Sequence, residues 1–100
     1  MTEKKSQQIN IHLGEEVGQG NYCNLSIITF SPSEFILDFA TMLPGLSQAN
    51  VKSRVILTPE NAKRLMLTLQ ENVSRYESNV GPINVQRKMN IEPFSGKGNA

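Results

Sequence analysis

VKSRVILTPENAKRLMLTLQENVSRY, residues 51–76, decides the architecture of this chain. Val51, Ser53, Val55 and Leu57 alternate with Lys52, Arg54, Ile56 and Thr58, the period-2 pattern of a strand. The period then changes. Thr58 offers a hydroxyl N-cap, Pro59 suits the first helical position, and Glu60 complements the positive end of a helix dipole. From there Ala62, Leu65, Met66, Leu69, Val73 and Tyr76 fall at helical spacing on one stripe. The spacing predicts a helix from Pro59 to about Ser78, stopped by Gly81-Pro82.

Upstream, the pattern predicts three more strands. Ile9, Ile11 and Leu13 alternate with polar neighbours, a short first strand ending at Gly14. A second runs from Asn21 to Phe30, and a third from Glu34 to Met42. Ser31-Pro32-Ser33 reads as a tight turn, and Leu43-Pro44-Gly45 closes the third strand. The expected fold is therefore α+β, an antiparallel sheet of about four strands followed by one long C-terminal amphipathic helix (ββββα). Residues 1–8 read as a disordered N-terminus, 9–83 as one domain, and 84–100 as a flexible tail that could add an edge strand.

The chain has 100 residues, 38% of them hydrophobic, and no tryptophan. That predicts one domain with a modest core. A net charge of +1 gives no general attraction to nucleic acid or acidic lipid. The charge is unevenly spread all the same. Residues 1–50 hold Lys4 and Lys5 against Glu3, Glu15, Glu16, Glu34 and Asp38. Residues 51–88 hold Lys52, Arg54, Lys63, Arg64, Arg75, Arg87 and Lys88 against Glu60, Glu71 and Glu77. Cys23 is the one cysteine, so no intramolecular disulfide exists and a reducing compartment is expected. No apolar run follows the early lysines and none approaches a bilayer span, which points to a cytoplasmic protein without a membrane anchor.

Counting faces predicts a partner. One helix covers one face of a sheet. If the odd positions Cys23, Leu25, Ile27, Phe35, Leu37, Phe39, Val51, Val55 and Leu57 meet the helix, the other face carries Tyr22, Ile28, Phe30, Ile36, Ala40, Met42 and Ile56. That set is too apolar to leave wet on a monomer. A second copy in a two-fold dimer is the expected cover, or else the segment 83–94 folding back.

Chemistry is sparse. His12, Cys23 and Asp38 are the ingredients for a nucleophile–base–orienter set, yet nothing in their placement brings them together. Packing accounts for a mid-strand cysteine. One histidine and one cysteine do not make a four-ligand zinc site. Asp38 lies in the most apolar strand, on the face of Ile36 and Ala40, where a buried carboxylate would need Lys52 or Arg54 as partner. The glycines 14, 18 and 20 match no phosphate-binding fingerprint. No cofactor or metal is expected.

The runs Tyr22-Cys-Asn-Leu-Ser-Ile-Ile-Thr29, Ser33-Glu-Phe-Ile-Leu-Asp-Phe39, Leu43-Pro-Gly45, Ser53-Arg-Val-Ile-Leu-Thr-Pro59, Ala62-Lys-Arg-Leu65 and Tyr76-Glu77 carry a resemblance. The chain resembles a family of small bacterial and archaeal proteins classed as a domain of unknown function, over residues 7 to about 83. That resemblance implies no activity, cofactor or catalytic residue. Antiparallel strands followed by a long helix are also similar, as an arrangement only, to SecB-type export chaperones, which bind unfolded segments between subunits. This chain lacks their acidity and their local motifs.

Two functional expectations follow. The first is a non-enzymatic oligomeric module binding protein or unfolded peptide through Tyr22, Ile28, Phe30, Ile36, Met42 and Ile56. The alternative is a nucleic-acid-binding accessory protein using the basic helix face and tail: Lys63, Arg64, Arg75, Arg87 and Lys88.

Overall fold

A computed structural model describes residues 8–86. Their elements run in the order of a 3-10 turn at Val17–Gln19, strands β1 (Leu25–Phe30), β2 (Phe35–Thr41) and β3 (Asn50–Leu57), and helix α1 (Pro59–Asn79). The sheet is an antiparallel meander in the order β1-β2-β3. The α+β class and the terminal helix agree with the sequence reading. The fourth strand does not. Residues 8–14 form no strand, and Ile9, Ile11 and Leu13 are all exposed. Alternation alone makes no strand; a ladder needs a neighbour to satisfy its N–H and C=O groups. Residues 83–86 add no edge strand either, and the rest of the suggested tail strand lies outside the described residues.

Short turns set the meander. β1 reaches β2 through residues 31–34, closed by the Ser31 N–H donating to the Glu34 carbonyl at 2.9 Å. Between β2 and β3, Pro44 and Gly45 occupy the middle of a turn in which the Leu46 N–H reaches the Leu43 carbonyl at 3.3 Å. Gly45 takes φ +86°, the value a type II turn demands at its third residue. Between Phe39↔Ser53 and Ala40↔Val51 the register shifts by one residue, leaving Lys52 as a bulge in β3.

The first pairing corrects the expected division of faces. Phe30 stands opposite Phe35 and Leu25 opposite Ala40, so odd residues of β1 share a face with even residues of β2. One face carries Leu25, Ile27, Ile36, Asp38, Arg54 and Ile56. The other carries Ile28, Phe30, Phe35, Leu37, Val55 and Leu57. The Phe30 and Phe35 rings lie 5.6 Å apart between centroids, tilted 30°.

The helix also departs from expectation: it covers neither sheet face. No residue of α1 is buried, and Leu65, Met66, Leu69, Val73 and Tyr76 of its stripe are exposed. The joint explains this. Leu57 ends β3 and Pro59 begins α1, leaving Thr58 as the whole connection. Proline holds the residue before it in the extended region, and Thr58 sits at φ −70°, ψ 156°. Strand–helix units usually need 2–6 linking residues for the helix to lie back on its sheet. Among the described residues, the buried hydrophobic side chains are Leu37 and Ala40, with Asp38 beside them.

Candidate functional site

The buried polar position is built on the central strand. Asp38 has no exposed surface, and Arg54 stands opposite it on β3. The guanidinium donates through Nε to one carboxylate oxygen at 2.7 Å and through an Nη to the other at 3.0 Å. This is the planar two-point match that arginine makes and lysine does not. Of the two cations with the right alternation, the structure selects Arg54. Its side chain remains about half exposed. The hydrogen bond to Asp38 first, and its charge second, raise the guanidinium above its ordinary pKa. An anchored ion pair of this kind holds strands in register. It presents no free acid or base to a substrate.

A second polar clip extends the β1–β2 pairing. The Asn24 side chain accepts from the Met42 N–H at 2.8 Å and donates to the Met42 carbonyl at 3.1 Å. Beside it the Thr41 hydroxyl donates to the Tyr22 carbonyl at 2.8 Å. These bonds tie the segment before β1 to the end of β2, with the Tyr22 side chain outside in solvent.

The expected apolar docking set is divided by this geometry. Ile28 and Phe30 lie on one sheet face, and Ile36 and Ile56 on the other, while Tyr22 and Met42 flank the strands. Ile28 (59% exposed) and Phe30 (71%) are brought together as i, i+2 neighbours on edge strand β1. Ile36 is half-buried; Ile56 and Met42 are exposed. β1, LSIITF, has no charge and no proline along it. Charges and prolines are the usual means by which an edge strand repels further pairing.

The expected basic set lies on α1 and beyond. Arg64 pairs with Glu60 one turn earlier, and Glu71 precedes Arg75 at the same four-residue spacing. A glutamate four residues ahead of a cation is the favourable order on a helix, and it neutralises the row. Lys63 is exposed; Arg87 and Lys88 lie outside the described residues. A hollow of about 400 Å³ follows this side of α1, lined by Leu67, Thr68, Gln70, Glu71 and Ser74. All five come from a single helix, so among the described residues no groups from a second element converge there. Among the described residues no three His, Cys, Asp or Glu side chains group as a metal site would require. His12 is exposed and Cys23 half-buried. No described helix is long and apolar enough to cross a membrane.

The family model described as "Protein of unknown function (DUF3467)" matches residues 1–85. The chain belongs to the DUF3467 family. The match takes in the whole sheet and helix of this DUF3467 chain, and every block that carried the resemblance. No curated protein and no solved structure matches it.

The split of the sheet faces escaped the sequence reading because parity across a hairpin depends on the loop. The signal was present in residues 31–34, since four residues between paired ends place odd positions opposite even ones.

Proposed function

We propose that this DUF3467 chain is a non-enzymatic, oligomeric module that binds protein or unfolded peptide along β1. The observation that carries the reading is the exposed Ile28–Phe30 pair on an uncharged edge strand. An extended segment laid beside β1 would take up its outward N–H and C=O groups, and its alternate side chains would meet Ile28 and Phe30. Main-chain bonding of this sort tolerates many sequences, as a chaperone-like or adaptor role needs. The Asp38 carboxylate is taken up by Arg54, which suits a structural role for that pair.

The test is titration of reduced, carboxymethylated lactalbumin, which stays unfolded, into the fluorescently labelled full chain. Binding that persists in high salt and weakens at least about tenfold in Ile28→Ser is the expected result. No binding, or binding indifferent to Ile28→Ser, overturns the reading. Capture of labelled DNA or RNA that falls steeply with salt would instead favour the basic set Lys63, Arg64 and Arg75.

A further inference from the structure

The apolar stripe of α1 repeats more strictly than helical amphipathicity requires. Ala62, Met66, Leu69, Val73 and Tyr76 step by 4, 3, 4 and 3 residues, and Val80 and Ile83 continue the count beyond the helix end. That is the 3.5-residue seam of paired helices. The single-residue joint at Thr58 holds α1 away from its own sheet, and among the described residues no other element covers the stripe. The geometry points to a second copy of this chain as the occupant, its α1 lying antiparallel along this one about a two-fold axis near Glu71. This deepens, and rests on, the oligomeric part of the proposed function.

Three observations select the antiparallel sense. The first is layer matching. An axis at Glu71 sets Met66 against the second copy's Tyr76 and Leu69 against its Val73, with Ala62 facing Val80. Each layer then joins a larger to a smaller or more adaptable side chain. The second is charge. Lys63 and Glu77 flank the seam on one side, seven residues either side of Gln70, so antiparallel helices bring Lys63 to Glu77 twice. A parallel pair would set this flank against the opposite flank of the second helix, where Leu65, Asn72 and Asn79 offer neither Lys63 nor Glu77 a counter-charge. Glu77 already accepts from the Ile83 N–H through one oxygen, which leaves its second for this contact.

The third is area. A 21-residue helix gives a seam about 31 Å long and about 10 Å wide, short of the roughly 800 Å² per partner in a standard interface. The antiparallel sense delivers the second copy's Val80 and Ile83, both exposed here, beside the start of α1. There Leu57 and Phe35 form the last rung of the sheet. A parallel pair would hold the second copy's Val80 and Ile83 at the far end of α1, away from Leu57 and Phe35.

Sedimentation equilibrium on the full chain, with its variants, tests this. The wild type should be a dimer. Leu69→Glu, which puts a charge in the seam, should raise the dissociation constant at least about 100-fold. Lys63→Glu alone should weaken the dimer several-fold, and Lys63→Glu with Glu77→Lys should bind more tightly than either single variant; Glu77→Lys alone controls for the lost Ile83 N–H bond. Spin labels at Asn61, in a Cys23→Ser background, should lie about 30 Å apart along the helix axis in the antiparallel pair. A wild-type monomer, a dimer untouched by Leu69→Glu, a double charge reversal no tighter than either single variant, or labels side by side would each overturn the inference. Lactalbumin binding is read on the wild type in parallel. A monomer that binds overturns the helix pairing alone, and a dimer that does not bind overturns the β1 site alone.

Discussion

Asp38 and Arg54 face one another across β2 and β3 as a two-point ion pair whose acidic half is fully buried and whose basic half is about half exposed. The two ends are therefore unequal. Removing Arg54 leaves a carboxylate without its counter-ion in the least solvated position of the sheet; removing the Asp38 charge leaves a guanidinium that water can reach. Arg54→Met should lower the urea midpoint more than Asp38→Asn, and the double variant should lose less than the two losses combined. Strictly additive losses would show that the pair acts as two independent groups. Protein concentration must be held constant in these comparisons, because the proposed assembly would add to apparent stability.

Thr58 tests the joint. Its hydroxyl accepts from the Asn61 N–H at 3.1 Å, and its carbonyl receives the first helical bond, from Ala62 at 2.9 Å. Thr58→Val keeps the shape and removes the cap acceptor, which should cost about 1 kcal/mol, read as a lower thermal midpoint with loss of helical ellipticity. Thr58→Ser should retain most of the stability. Equal losses in the two variants would show that shape, not the hydroxyl, matters at this position.

Leu37 and Ile28 lie on the same sheet face with opposite burial, 7% against 59% exposed. Leu37→Ala should cost about 2–5 kcal/mol by opening a cavity in the small core. Ile28→Ala should stay within about 0.5 kcal/mol of wild type while weakening peptide capture. If the Ile28 change destabilised the chain as much as the Leu37 change, Ile28 would be core in the assembled protein and not a docking residue.

Asn24 holds Met42 from both sides. Asn24→Asp retains the acceptor and loses the donor; Asn24→Ala loses both. Chemical denaturation should rank wild type above Asn24→Asp above Asn24→Ala, with the last near 1 kcal/mol below wild type. Hydrogen exchange at the Met42 amide should quicken in Asn24→Ala alone.

Local pattern carried most of the architecture. β2, β3 and α1 stand within a residue of where alternation, the Thr58-Pro59-Glu60 start and the Gly81-Pro82 stop put them, and β1 ends at Phe30 as expected but begins at Leu25 and not at Asn21. Those signals are written into neighbouring residues, so they can be read without knowledge of the rest of the chain. What was misjudged depends on distant ones. Ile9–Leu13 has the alternation of a strand and no ladder to join. The α1 stripe was legible as apolar, but its direction away from the sheet follows from the length of the Thr58 joint. Asp38 was legible as a residue in need of a cation; that Arg54 and not Lys52 meets it depends on register, which the hairpin geometry sets.

A connection of one residue has no slack, and this gives α1 a mechanical property. With Thr58 pinned between a hydrogen-bonded strand and a proline, the helix behaves as a stiff arm fixed to β3. A tilt of about 10° at that hinge moves the far end of a 31 Å arm by about 5 Å. A strand added at the rim of the sheet changes its twist, and that rotation would be magnified at Tyr76. A segment bound at β1, as proposed, would then register at the tip of α1 as displacement.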